Sequence, residues 1–140
     1  MISYQWRGQF PNDAVNGLHA EGFGHRVVDD DWWGQVSNHS LGWVCAWDGP
    51  ELVGFVNVAW DGAAHAFILD TLVAAAARRQ GIGTGLVSVA ADHARAAGCE
   101  WLHVDFDDDL GAFYFGSCSF RPTTAGLIQL RGTEPGRQAC

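Results

Sequence analysis

Eight arginines, no lysine and sixteen acidic residues among 140 give a formal charge of −8, which argues against a basic nucleic-acid-binding surface and suits a cationic small partner. Hydrophobic residues make up 48% and tryptophans number seven, so the chain reads as one ordered domain over 1–140, long enough to bury about two thirds of its unfolded surface without disulfides. No run of 18 apolar residues occurs, and the opening MISYQWRGQF has no basic stretch followed by an apolar one, so neither secretion nor membrane spanning is expected and a cytoplasmic protein is. Cys45, Cys99, Cys118 and Cys140 are widely separated, with no Cys-x-x-Cys and no paired histidines, which predicts reduced thiols and no metal site.

Residues 2–6 alternate in polarity and read as a short first strand. Residues 12–40 read as one or two short helices with loops, and Asp29-Asp30-Asp31 before Trp32-Trp33 supplies an aspartate cap for a helix reaching Ser37. Gly42 to Trp47 and Leu52 to Trp60 are β-rich and flank the turn cluster Asp48-Gly49-Pro50-Glu51, so they predict a hairpin. Asp61 to His65 leads into a third antiparallel strand over 66–74. A helix over Gly83 to Ala97 follows from the spacing of Leu86, Val89, Ala90, His93 and Ala97, with Gly98 as its C-cap. Trp101 to Phe106 reads as the next strand, joined to 66–74 by a right-handed parallel crossover. Asp107-Asp108-Asp109 suits the start of a short helix through Phe115, Phe120-Arg121-Pro122 is a turn, Gly126 to Leu130 is a candidate last strand, and 132–140 is a polar tail.

Between strand and helix lies Arg78-Arg79-Gln80-Gly81-Ile82-Gly83-Thr84. Glycines at 81, 83 and 85 allow close backbone approach, and a helix's first turn has unpaired N–H groups at its positive end, which together suit phosphate oxygens. The P-loop is excluded because there is no lysine, and the dinucleotide fingerprint is excluded because Leu86 stands where its third glycine belongs.

Val73 on a strand followed by Arg78-x-x-Gly81-x-Gly83 at a helix start resembles the acyl-CoA pyrophosphate loop of the GNAT superfamily of N-acetyltransferases. The order of elements over about 42–130 is similar as well. The resemblance implies an α/β fold with a mixed, centrally splayed sheet flanked by helices, and acyl-CoA seated in the gap. It implies that Leu72, Val73 and Ala74 pair with the pantetheine arm, and that backbone N–H groups of Gln80, Gly81, Gly83 and Thr84 take the pyrophosphate, with Arg78 and Arg79 supplying charge. The activity implied is transfer of an acetyl group from acetyl-CoA to the amine of a small molecule or peptide, often by a homodimer. A non-catalytic acyl-CoA-binding module of the same fold is the alternative.

Two positions depart from that family's pattern. Ala75 replaces a proline common after the strand valine, and the short helix reads Phe113-Tyr114-Phe115-Gly116-Ser117-Cys118-Ser119-Phe120, one residue longer than Phe-Tyr-x-x-x-Gly-Phe. Counting from Phe113 puts Tyr114 at the proton-donating position, and counting back from Phe120 puts Phe115 there; only the tyrosine has a proton to give. For the general base, Asp70 shares a strand face with Leu72, and Asp105 lies near the end of the following strand. Strand alternation places Trp101, His103 and Asp105 together, so His103 and Asp105 are a candidate proton path. The acidic runs 29–31 and 107–109, with a tryptophan from the amino-terminal part, are candidate walls of a pocket for a cationic amine.

Overall fold

The backbone traces β1 (Ile2–Trp6), α1 (Asn12–Phe23), α2 (Trp32–His39), β2 (Ser40–Asp48), β3 (Glu51–Trp60), β4 (His65–Val73), α3 (Ile82–Ala96) and β5 (Trp101–His103), in a computed structural model that describes residues 1–132. The strands form one sheet in the order β1-β2-β3-β4-β5, antiparallel except for the parallel β4–β5 pair. Two helical layers cover it. Alternation along β2 sends Val44 and Ala46 to the α3 side, with Ile82, Leu86 and Ala90, and sends Trp43 and Cys45 to the α1–α2 side, with Val15, Leu18, Trp32 and Val36. That is why β2 and β3 read as continuous apolar runs, with both faces buried.

The elements follow local chemistry. Asp31 caps α2 by accepting the Gly34 N–H on Oδ1 at 3.0 Å, and the Asn12 side-chain amide donates to the same oxygen at 3.0 Å, fastening the start of α1 to the start of α2. Asp61 accepts the N–H groups of Ala63 and His65 and shapes the β3–β4 turn. α1 ends at Gly24 in the left-handed region, φ 70°.

Two irregularities place the site. β4 carries one extra residue against β3 between Leu69 and Leu72, a bulge at which Asp70 takes φ 55°. Ala66 and Ile68 face α3, but past the bulge Leu72 faces α1 and α2. The second is the split of the sheet: β4 and β5 pair only from His65↔Trp101 to Phe67↔His103, and beyond Phe67 no strand lies on that edge of β4 among the described residues.

The sequence expectation fails in two places here. β5 stops at His103 instead of Phe106, because the chain leaves β4 to open the gap. Gly126 to Leu130 is not a strand: Leu127, Ile128 and Leu130 are 75–88% exposed, and a strand-like run stays irregular when no edge pairs with it. Residues 133–140, most of the expected tail, lie outside the described residues.

Candidate active site

The split edge opens into a cavity of about 700 Å³. β4 contributes Phe67, Ile68, Asp70 and Thr71, the chain after β5 contributes Val104 to Asp107, and Leu110, Tyr114 and Leu127 close it from the carboxyl-terminal side. Its carboxylates Asp70, Asp105 and Asp107 stand among apolar and aromatic walls, with no arginine lining it among the described residues, which is an environment for a cation with an apolar body. Thr71 Oγ1 is buried on this wall and has no hydrogen-bond partner among the described residues. A buried hydroxyl left in that state is costly unless a bound molecule pairs with it.

The extra residue between Tyr114 and Phe120 is taken up by a π-helical turn, Ala112–Ser117, in which the Cys118 N–H reaches back five residues to the Phe113 carbonyl at 2.9 Å. Tyr114 points inward at 6% exposure, its ring stacked on Phe106 at 4.5 Å and edge-on to Phe113 and Phe120. Phe115 points outward at 43% exposure. The wider turn thus brings the tyrosine, not the phenylalanine, to the cavity.

Asp70 is buried, with Oδ1 3.7 Å from His19 Nε2 on α1, a partner for which the sequence offered only a polar residue on an apolar helix face. Asp105 is exposed at the cavity margin. The expected pairing of His103 with Asp105 is not the one formed: His103 Nε2 lies 2.7 Å from His65 Nδ1 and its ring stacks on Phe67, so the β4–β5 pairing turns it toward its strand neighbour. The acidic runs divide. Asp31 is a helix cap, whereas Asp107 reaches the cavity, and no tryptophan lines that cavity among the described residues.

Arg78, Arg79 and Gln80 are exposed between a 3₁₀ turn, Ala75–Ala77, and α3, and no carboxylate engages either arginine among the described residues. Arg79 and Gly81 take φ 66° and 75°, a sharp left-handed approach to the helix. No side chain caps α3, and the first helical bond is Gly85 N–H to Gly81 carbonyl, so the N–H groups of Ile82, Gly83 and Thr84 stay available at the positive end of the helix. Ile82 is a donor the glycine pattern passed over. Leu72 buries its side chain in the core, and the Ala74 N–H is taken by the Val53 carbonyl, so only the backbone of Leu72 to Ala74 on the gap side is open to pairing. The other two glycines answer to packing. A Cβ on Gly83 would stand 3.0 Å from the Phe113 ring, and one on Gly85 would stand 2.3 Å from Tyr4 Oη.

Burial pushes the Cys45 thiol up to about 12 and raises Cys99 and Cys118 as well; at Cys118 a hydrogen bond to Thr84 opposes that shift. These thiols stay protonated at neutral pH, which disfavours them as nucleophiles.

A mixed sheet that parts between two parallel strands, with an uncapped glycine turn opening the crossover helix beside the gap, defines an acyl-CoA-dependent acyltransferase type of architecture. The sequence profile of the acetyltransferase (GNAT) family matches residues 5–117, and the chain belongs to that family. Solved structures agree in fold. A GNAT family acetyltransferase from Streptococcus pneumoniae is 22% identical, with 94% of this chain and 98% of that chain covered and a TM-score of 0.75. The glucosamine-6-phosphate N-acetyltransferase of Arabidopsis thaliana is 15% identical over 91% and 97% of the two chains, TM-score 0.71, and an aminoglycoside N-acetyltransferase in complex with CoA is 14% identical over 94% and 95%, TM-score 0.73. None of the curated proteins matches the chain by sequence. Among the described residues, no helix is long and apolar enough to cross a membrane.

Proposed function

We propose that the chain transfers an acetyl group from acetyl-CoA to the primary amine of a cationic small molecule or peptide, by direct attack within a ternary complex. One observation carries the reading: Tyr114 and Asp70 line the same cavity at the parting of the sheet, with Asp105 and Asp107 beside them. Acyl transfer to an amine requires removal of a proton from the nucleophile and delivery of one to the leaving thiolate, and these are the two ionisable types able to do so. Asp105 and Asp107 draw the ammonium in by charge, and it gives one proton to water at the open side of the cavity to become the neutral amine that attacks. Asp70, in the drier interior, takes the proton as the amine attacks, and the Tyr114 hydroxyl protonates the departing thiolate.

Acetyl-CoA supplies the activated thioester. Its phosphates suit the N–H groups of Ile82, Gly83 and Thr84 with the Arg78 and Arg79 guanidinium groups, and its arm suits the unpaired edge of β4 at Leu72 to Ala74. The raised cysteine thiols favour direct attack over an acylated cysteine.

The test is release of free CoA thiol with a panel of di- and polyamines, aminoglycosides and peptide amines. Tyr114→Phe is expected to lower kcat about a hundredfold with little change in KM. Arg78→Ala with Arg79→Ala is expected to weaken CoA binding about tenfold or more by calorimetry. CoA binding with no thiol release on any amine would instead make the chain a binding module, and no CoA binding would sink the reading.

A further inference from the structure

A line of polar groups runs from the cavity wall through α1 to the segment after it. Asp70 Oδ1 stands 3.7 Å from His19 Nε2, His19 Nδ1 lies 2.7 Å from His25 Nε2, and His25 Nδ1 lies 2.6 Å from the Arg26 carbonyl oxygen. Asp70 and His19 are 5% and 7% exposed, and His25 is half-buried. Phe23 and Trp32 flank the His19 ring at 4.6 and 5.4 Å, which keeps water from competing for its nitrogens. Glu21, a carboxylate on the last turn of α1, accepts the Ala75 N–H.

The far end sets the proton order. A carbonyl oxygen only accepts, so His25 Nδ1 carries hydrogen, and in the neutral ring its Nε2 is then an acceptor. His19 must therefore donate from Nδ1, and a neutral His19 turns the lone pair of Nε2 toward Asp70. The tautomer of a buried histidine is thus fixed, through two hydrogen bonds, by a main-chain carbonyl near the surface.

We infer that His25 is a positioning residue that holds His19 as a proton acceptor behind Asp70, so that carboxylate and imidazole act together as the base. The inference rests on the acetyl-transfer reading. As the amine nitrogen bonds to the acyl carbon, its N–H bond breaks and the proton passes to the Asp70 carboxylate. Once protonated, Asp70 has an O–H to donate, the 3.7 Å separation from His19 Nε2 shortens to a hydrogen bond, and the proton crosses it to give an imidazolium whose Nδ1–H is held by His25 Nε2. The proton returns through Asp70 to water in the open cavity once product has left, and water returns one to the Tyr114 oxygen, so the enzyme ends the cycle as it began. No step needs an oxidant or a second reactant. The imidazolium is stabilised on both sides, by a carboxylate and by a neutral imidazole. A triad of this kind, with an acceptor group oriented by a third residue, needs no particular fold.

His25→Leu and His25→Gln separate this role from a structural one. The leucine removes the acceptor, whereas the glutamine amide oxygen can take the His19 Nδ1–H. With the amine that the wild type acetylates, His25→Leu is expected to lower kcat about tenfold at unchanged KM for both substrates, and His25→Gln to recover most of it. Nitrogen-15 spectra of histidine-labelled protein are expected to show hydrogen on His19 Nδ1 in the wild type and its movement to Nε2 in His25→Leu. A His25→Leu enzyme with wild-type kcat, a kcat loss that glutamine leaves unrepaired, or a wild-type His19 carrying hydrogen on Nε2 alone would each overturn the inference. A wild type that releases no thiol with any amine would instead overturn acetyl transfer itself, while the spectra still report on the histidines.

Discussion

At the scale of single residues, the glycine turn shows how one pattern hides two kinds of demand. Gly81 needs its φ of 75°, and open space surrounds its missing side chain. Gly85 is the reverse: it lies in a regular helix, and its lack of a side chain lets α3 close on Tyr4 of β1. Gly81→Ala is therefore expected to cost about 1–2 kcal/mol through backbone strain alone. Gly85→Ala is expected to cost about 1–3 kcal/mol through overpacking, and Tyr4→Leu should recover much of that in a double-mutant cycle. Urea unfolding measures both. A Gly85→Ala protein as stable as the wild type, or additive Gly85 and Tyr4 substitutions, would show that the close approach carries no energy. The sequence pattern assigned Gly81, Gly83 and Gly85 alike to a ligand, because a glycine's spacing carries no record of which neighbour presses on it. The same limit hid His19: a histidine on an apolar helix face says nothing about a carboxylate on a distant strand.

At the scale of elements, the legible parts are those whose signals are local. The strands, the hairpin turn and the amphipathic stripe of α3 all follow from period and turn chemistry, as does the cap of α2. That cap has a pH signature. The Gly34 N–H, and after it the Asn12 side chain, hold the Asp31 carboxyl below its ordinary value. A carboxyl depressed in the folded state stabilises the fold above its ordinary range near 4 and loses that contribution as the pH falls through the lower folded value. Asp31→Ala is thus expected to lower the melting temperature at pH 7, with the difference from wild type shrinking by pH 3. Equal differences at both pH values would mean that the charge of Asp31 has no part in the cap. Elements that depend on distant partners were less legible. The run 126–130 has strand composition but no edge to join, and β5 ends early because the chain after His103 leaves β4 to open the gap. The additional residue after Tyr114 was countable in the sequence, yet only a π-helical turn shows how the chain absorbs it while keeping the tyrosine inward.

At the scale of the molecule, the sheet is firm on one side and open on the other. β2 and β3 are paired along their length and buried on both faces, so their amides open only with most of the fold. β4 belongs to both regimes: one edge is held by β3, and the other loses its partner after Phe67. An acyl-CoA arm lying along that edge would complete the ladder locally, and phosphates at α3 would engage the N–H groups of Ile82 to Thr84. Binding at a hundredfold above Kd adds about 2.7 kcal/mol to global stability, which slows exchange in every globally opening segment alike. The local effect must therefore be read as a difference between segments. On adding CoA, the gap-facing amides of β4 from Ile68 to Val73 and the first turn of α3 are expected to gain protection well beyond that common increment, whereas β2 should gain the increment alone. Uniform protection across the sheet would place the ligand elsewhere, because a molecule that does not pair with β4 gives its amides no reason to stand apart from those of β2.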